Sequence, residues 1–142
     1  MANVPLGSLG ASAIAGIDRL VRKVAIDLLK SVVYKSPVGD ATLWQSPPPA
    51  GYVGGRFRGN WQLGLNAKPS GEVDNIDANG SSTLVAGMAN IPTTNAAGNI
   101  YYITNNLPYA QRLENGWSTQ APAGIVSLTV AEFDGIVLRA RT

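Results

Sequence analysis

Residues 54–59 read Gly-Gly-Arg-Phe-Arg-Gly, and no other segment of the chain has a clearer potential for binding chemistry. Guanidinium groups and free backbone N–H groups both bind phosphate, so this segment could contact a nucleic acid. It lacks the Lys-Ser/Thr pair of a P-loop and the glycine spacing of a dinucleotide-binding loop. We favour a strand that begins here with Arg56 and Arg58 on its solvent face. Because both would point the same way along a strand, they could also pair with carboxylates across a subunit interface.

Glu114 is a second candidate, because it follows a group of aromatic residues and a buried glutamate can act as a general acid. No second carboxylate lies near it in the sequence, and the chain has no His to complete a nucleophile–base pair. We therefore expect the Glu114 carboxylate to accept backbone hydrogen bonds or to pair with an arginine. The lack of both His and Cys argues against a small hydrolase.

Glu72, Asp74 and Asp77 loosely resemble a run of Ca²⁺ ligands. The spacing and terminal Glu of an EF-hand are missing, so we interpret the run as a solvated acidic loop. Zinc sites with thiolate or imidazole ligands are excluded, because the chain has neither Cys nor His. We expect no catalysis, no metal and no cofactor.

The stretch 100–118 should hold the centre of the fold. Residues 100–104 are β-branched and aromatic, which predicts a strand. Residues 109–114 predict a short helix, and the following Asn-Gly ends it because Gly accepts a left-handed backbone. The aromatic residues of this stretch are not interleaved with basic ones, so core packing is favoured over base stacking. We place four large side chains in the core: Trp61, Tyr109, Leu113 and Trp117.

A long helix is predicted over residues 12–34. Its apolar residues recur at steps of three and four, which is typical of one buried stripe; they are Ile14, Ile17, Val21, Val24, Leu28 and Val32. Two pairs of opposite charge at i,i+4 spacing should lie on the exposed side: Asp18 with Arg22, and Lys23 with Asp27. Ser36-Pro37 should end the helix, since a residue before Pro avoids helical angles.

Three further elements are predicted. A strand runs from residue 56 to 67, and period-two alternation puts Trp61, Leu63, Leu65 and Ala67 on the core face. A helix is favoured over residues 83–89, where it should bury Leu84, Val85 and Met88, and a strand is the alternative. Residues 125–139 fit a strand near their start and a helix along their whole length, and the length favours a single terminal helix.

Two long loops, 37–54 and 68–82, separate these elements, and we expect both to be interaction loops. The first contains three consecutive prolines, 47–49, and two aromatic residues, Trp44 and Tyr52. A polyproline segment is stiff and loses little entropy on docking, and aromatic residues often anchor interfaces. We predict that this loop leaves its own domain and contacts another chain. An alternative is that it folds back over its own sheet.

The composition fits a single α+β domain over residues 1–142, with a long N-terminal helix packed on a small, mostly antiparallel sheet, a short middle helix and a C-terminal helix. Only 14% of the residues are charged, and the net charge is +2. A weakly charged surface is typical of a protein covered by neighbours, and so small a charge does not indicate a nucleic-acid binder. No signal peptide or membrane span is evident, so we expect a soluble protein made in the cytoplasm.

The chain also resembles a family of tailed-bacteriophage neck and tail-completion proteins. The first resembling piece is the strand at 100–104, followed by Asn-Asn-Leu-Pro-Tyr-Ala at 105–110 and Leu-Glu-Asn-Gly at 113–116. Two more pieces lie in the family's order: Ser-Pro-Val at 36–38 with Gly-Arg-Phe-Arg-Gly-Asn-Trp at 55–61, and Gln-Ala-Pro-Ala-Gly at 120–124. The chain departs from the family's pattern at 40–54, where an extra segment separates the Ser-Pro-Val piece from the arginines.

The resemblance implies a non-catalytic ring at the head–tail junction or tail top, such as a neck, tail-completion or tail-terminator ring. Its partners would be further copies of itself, in a hexamer that matches the tail, and neighbouring neck, tail-tube or portal-adaptor rings. DNA could pass through the lumen without specific recognition. The interface candidates are Trp44, Tyr52, Arg56 and Arg58. The alternative is a nucleic-acid-binding accessory protein that uses the two arginines.

Overall fold

The computed structural model describes residues 6–40 and 45–141. In that part of the chain the predicted α+β fold is confirmed, as a long N-terminal helix, a two-stranded antiparallel sheet and further short helices. The elements in chain order are α1 (Leu6–Lys35), α2 (Arg56–Gly59), β1 (Trp61–Leu65), α3 (Ser81–Met88), β2 (Tyr101–Asn105), α4 (Ala110–Glu114), α5 (Val126–Ala131) and α6 (Phe133–Ala140). None of the described helices is both long enough and apolar enough to cross a membrane.

Helix α1 ends where the sequence predicts, one residue before Ser36-Pro37. The Ser36 hydroxyl donates to the carbonyl of Val32 at 2.5 Å, and the indole N–H of Trp61 donates to that hydroxyl at 2.7 Å. Ser36 is fully buried, so both bonds are shielded from water. The end of α1 is thereby fixed to the start of β1.

The buried face of α1 overlaps the predicted stripe only in part: Val32 is buried, whereas Val21, Val24 and Leu28 are half-buried. The residues that face the core are Asp18, Ala25, Leu29, Val32 and Val33. Ile14 and Ile17, which begin the predicted stripe, are 58% and 51% exposed. The helix is rotated because its polar pair has partners inside.

The supposedly exposed pair, Asp18 and Arg22, binds the segment that precedes β2. Asp18 accepts the backbone N–H groups of Asn95 and Ala97 at 3.0 and 3.1 Å. Arg22 donates to the carbonyls of Ile91 and Pro92 at 3.0 and 2.8 Å. These four bonds turn the predicted polar side of α1 inward. The second predicted pair is confirmed, because Lys23 and Asp27 are 3.0 Å apart at the surface.

Strands β1 and β2 pair antiparallel, with Leu63 opposite Ile103 in the register. Trp61 and Leu63 are buried as predicted, whereas the strand ends at Leu65 and leaves Ala67 exposed. The predicted strand start at Arg56 and Arg58 is wrong, because these residues form the helical turn α2.

Gly55 explains why α2 is a helical turn. Its φ is 119°, and a Cβ there would meet the backbone of Ala78. Its carbonyl accepts the N–H groups of Gly59 at 2.8 Å and Asp77 at 3.1 Å, which closes the turn and ties it to the following loop. The buried Asn60 ends the turn by donating to the carbonyl of Arg56 at 2.8 Å.

Helix α3 confirms the predicted middle helix but buries a different face. Leu84 is buried as expected, together with Thr83 and Gly87, while Val85 and Met88 are exposed. The reason is a close helix crossing, since a Cβ on Gly87 would collide with the side chain of Leu29. The helix therefore turns its glycine toward α1.

The C-terminal segment forms two helices instead of the single predicted one. The break lies at Glu132, where φ is −91° and ψ is 0°. The Thr129 hydroxyl bonds back to the carbonyl of Ile125 at 3.0 Å, a contact that often bends helices. The break brings both short helices onto α1, where Thr129 contacts Ser31 at 2.7 Å and Glu132 pairs with Lys35 at 2.9 Å.

Candidate subunit-interface site

Arg56 does not have the strand geometry that the sequence predicts. Its guanidinium lies 2.7 Å from the Glu72 carboxylate in its own chain. Both side chains are exposed to solvent, so the pair contributes little to stability. Glu72 thus supplies within the chain the carboxylate that we expected from a neighbour.

Arg58 is a structural tie. Its guanidinium donates to the carbonyls of Ala78 at 2.7 Å and Ser36 at 2.8 Å, and a longer bond reaches Tyr34 at 3.4 Å. It therefore joins the end of α1 to the loop before α3. The prediction of a solvent-facing arginine beside Arg56 is wrong, because the helical turn directs the two side chains apart.

Tyr52 is placed by a turn in the first long loop. Its N–H donates to the carbonyl of Pro49 at 3.1 Å, and its ring lies where a side chain on Gly39 would be. The ring is 38% exposed. Residues 45–53 are all exposed, whereas the fourth predicted interface residue, Trp44, lies outside the described residues.

Tyr52 borders an open groove of about 560 Å³ on the side of the domain. Phe57 is buried at its base, and the Tyr109 ring centroid lies 6.1 Å from that of Phe57. Trp117 lies on the rim and is 72% exposed. We refer to Tyr52, Phe57, Tyr109 and Trp117 as the aromatic groove. Tyr109 and Trp117 are exposed here, although the sequence predicted both of them in the core.

Trp117 is exposed because the chain reverses immediately before it. Gly116 has a φ of 86°, and its N–H donates to the carbonyl of Leu113 at 3.2 Å. The N–H of Trp117 then donates to Arg112, whose guanidinium carbon lies 5.2 Å from the indole centroid. The Asn-Gly pair predicts a helix end, and the left-handed conformation of Gly116 also turns the next side chain outward.

The opposite wall of the groove is held by Gln120. Its side-chain carbonyl accepts the N–H of Val38 at 3.0 Å, and its side-chain amide donates to the carbonyl of Val38 at 2.8 Å. This pair of bonds imitates a strand pairing and fixes the start of the first long loop. No local sequence pattern indicates this contact, because the two residues are far apart along the chain.

Glu114 behaves as the sequence suggested, as a carboxylate bound by the backbone. It accepts the N–H groups of Ile125, Val126 and Ser127 at 3.0, 2.8 and 2.9 Å, which are unpaired donors at the start of α5. Burial alone would raise the pKa of Glu114, but these hydrogen bonds outweigh burial and hold the pKa below its ordinary value. The group is therefore charged at neutral pH and suited to capping, not to proton donation.

Asp77 corrects the prediction of a solvated acidic loop, because its side chain is buried. It accepts the N–H and hydroxyl of Thr83 at 2.8 and 2.7 Å and the N–H of Gly80 at 3.1 Å. Burial acts to raise its pKa, and the hydrogen bonds from Thr83, Ser82 and Gly80 lower the pKa below the ordinary value. Across residues 6–40 and 45–141, no cluster of three or more acidic side chains could hold a metal ion.

The second long loop, 68–82, is bound to its own domain up to the start of α3. Asn106 donates to the carbonyls of Pro69 and Gly71 at 3.1 and 3.0 Å, and Asn60 accepts the N–H of Val73 at 2.9 Å. Its role in an interface stays a prediction. A separate exposed apolar surface lies on α1, where Leu9, Ile14 and Ile17 face solvent.

Comparison with known proteins leaves the site without a relative. No protein-family model, curated protein or solved structure matches the chain.

Proposed function

We propose that this chain is a structural protein of a tailed-bacteriophage particle, which forms a ring at the head–tail junction or the tail top. The observation that carries the proposal is that large apolar side chains are exposed to solvent at two places on the domain. The aromatic groove and the exposed isoleucines of α1 are two separate apolar surfaces on a small chain. Exposed apolar patches on soluble proteins mark interaction sites.

Two different surfaces on one chain suit a ring. A contact in which one surface meets a different surface of the next copy repeats around a closed circle. Each contact can be small, because closure makes the contacts act together. The sequence pieces that resemble phage neck and tail-completion proteins support the same role, and two of them lie at the ends of helices. Gly116, at the end of the Leu-Glu-Asn-Gly piece, ends α4, and Ser36 ends α1.

The ring would be six-fold, in keeping with a phage tail, and its neighbours would be neck, tail-tube or portal-adaptor rings. DNA would pass through the lumen without sequence-specific contacts. The acidic residues considered as catalytic or metal-binding candidates bind the backbone instead, because Glu114 and Asp77 both accept hydrogen bonds from backbone N–H groups. That arrangement is suited to a protein whose activity is mechanical.

Electron microscopy of the purified chain, alone and with candidate neighbouring rings, tests the proposal. We expect closed rings of one stoichiometry, and antibody label at the neck or tail top of intact particles. A chain that stays monomeric within an assembled particle would overturn the proposal.

A DNA-binding assay addresses the rival nucleic-acid function. Fluorescence anisotropy with duplex DNA at low and high salt should show no salt-sensitive binding. Strong binding that Arg56→Ala abolishes would favour the rival instead.

A further inference from the structure

The first long loop presents a segment that its own domain does not use. Residues 45–53 are exposed, and the three prolines 47–49 lie outside helices and strands. Consecutive prolines favour the extended polyproline conformation, whose backbone groups are free to meet a partner. A turn from Pro49 to Tyr52 closes the end of this segment. The proline part of the segment is therefore stiff and exposed.

The aromatic groove has the chemistry that recognises such a segment. Polyproline segments dock in grooves lined by aromatic rings, which contact the flat faces of the prolines. Tyr52, Tyr109 and Trp117 supply exposed rings on the edges of the groove, above the buried Phe57. Pro37 lies on its wall, but prolines 47–49 of the same chain do not line it. The groove and the proline segment are thus complementary surfaces, and within one copy they are not in contact.

Charge supports the same match. Residues 45–54 contain no charged side chain. On the groove side, Arg56 is paired with Glu72, and the guanidinium of Arg112 lies over the Trp117 ring. An uncharged segment can therefore enter without bringing a further charge beside these groups or beside Asp40, which also lines the groove.

We propose that prolines 47–49 of one copy dock in the aromatic groove of the next copy. This inference rests on the proposed ring, and it names the contact that closes it. Because segment and groove are different surfaces, the contact is heterologous and passes from one copy to the next until the circle closes. Tyr52 takes part in both surfaces. It follows the prolines of its own chain, and it borders the groove that receives the prolines of another copy.

The exposed area determines how strong one contact is. The three rim aromatics leave on the order of 300 Å² exposed, given about 150–250 Å² for each such side chain. A stable pair of proteins buries about 800 Å² on each partner. A single segment in a single groove is therefore weak, and a closed ring gains its stability from the repetition of the contact.

A peptide titration tests the contact directly, without requiring rings. The probe is a peptide of residues 45–53, added to the ¹⁵N-labelled chain, with the Trp117 indole N–H signal as the readout. We expect that signal to shift, and we expect at least about tenfold weaker binding when the three prolines of the peptide are replaced by Ala. No shift at Trp117, or equal shifts with the Ala peptide, would overturn the proposal.

A mixing experiment tests the direction of the contact. One variant carries Trp117→Ala in the groove, and the other carries Ala at all three prolines. We expect each variant alone to be monomeric by light scattering. Their mixture should form a one-to-one pair only at protein concentrations above the dissociation constant of the peptide, because one intact segment then meets one intact groove through a single weak contact. Val85→Ala, which removes an exposed apolar side chain outside the groove, should assemble like the wild type.

The outcomes separate the two proposals. If wild-type rings form and both variants also form them, the docking proposal is wrong and the ring proposal stands. If the peptide and the mixture behave as expected but particles contain no such ring, the contact is real and the proposed function is wrong.

Discussion

Individual carboxylates hold much of this fold together by binding the backbone. Glu114 binds the start of α5, Asp77 binds the start of α3, and Asp18 binds the segment before β2. Hydrogen bonds to a charged acceptor are stronger than neutral ones. The starts of α3 and α5 therefore depend on carboxylates that lie outside those helices, and Asp18 ties α1 to a segment far away in the sequence.

The pH dependence of stability should report these carboxylates. The pKa values of Glu114 and Asp77 lie below their ordinary 4.5 and 3.8 in the folded chain. A lowered folded pKa gives stability that is present above the unfolded pKa and is lost as the pH falls through the folded pKa. Urea unfolding should therefore give a level free energy of unfolding down to about pH 5 and a decline below it.

Glu114→Gln isolates one contribution to that decline. It should lower the free energy of unfolding at pH 7 by about 1.5–3 kcal/mol, since three N–H donors lose a charged acceptor. It should also flatten the decline in acid. Asp74→Asn, at an exposed position, is the matched control. An unchanged acid slope in the glutamine variant would contradict the capping role.

The tryptophans provide a second contrast between single residues. Trp61 is buried and donates to Ser36, so Trp61→Ala should cost about 3–5 kcal/mol of unfolding free energy. Trp117 is largely exposed, so Trp117→Ala should change the stability of the monomer by less than about 0.5 kcal/mol. Thermal and urea melts of the two variants would check this, and equal losses would contradict the exposed position of Trp117.

The helices and strands were largely predictable from the sequence, but their orientations were not. Periodicity located α1 and β1, since apolar spacing reports a repeat along the chain. It did not identify the inward face of α1, because Asp18 and Arg22 are polar and their partners lie about 70–80 positions away. The strand predicted at Arg56 failed for a related reason, since the conformation of Gly55 is set by its contact with Ala78.

The two faces of α1 should respond differently to mutation. Leu29 is fully buried against Gly87, so Leu29→Ala should cost about 2–5 kcal/mol. Ile17→Ala removes a half-exposed side chain, so it should leave monomer stability within about 0.5 kcal/mol of the wild type and weaken self-association. Urea unfolding and light scattering measure the two effects. Equal destabilisation by the two substitutions would mean that Ile17 is buried, as the sequence predicted.

The groove was predictable only in part, because exposure is a property of the whole molecule. The sequence indicated that Tyr52 was an interface residue and that Tyr109 and Trp117 were prominent. It assigned the last two to the core, since large aromatic residues are usually buried. Their exposure follows from the left-handed turn at Gly116 and from the bonds between Gln120 and Val38. The Asn-Gly pair predicts the turn but not the direction of the next side chain, and the bonds between Gln120 and Val38 have no pattern in local sequence.

Deletion of residues 40–52 tests the loop in the assembled particle. The ends of this loop are close, because a Cβ on Gly54 would meet the carbonyl of Gly39. A short linker can therefore close the gap without moving α1 or α2. We expect a folded domain, with a thermal transition near that of the wild type, that fails to enter particles. Unfolding would place the loop in its own core, and normal assembly would make it dispensable.

The first turns of α1 have no buried face, so they should become rigid later than the rest of the molecule. Residues 7–15 are all exposed, so their helix is held by its own backbone hydrogen bonds. Short helical stretches without packing are marginal in water, and such regions open locally at little free-energy cost. Amide hydrogens there should exchange rapidly in the isolated chain and slowly once a neighbour covers Ile14 and Ile17. Incorporation into a particle would then be the last step of folding for this end of the chain.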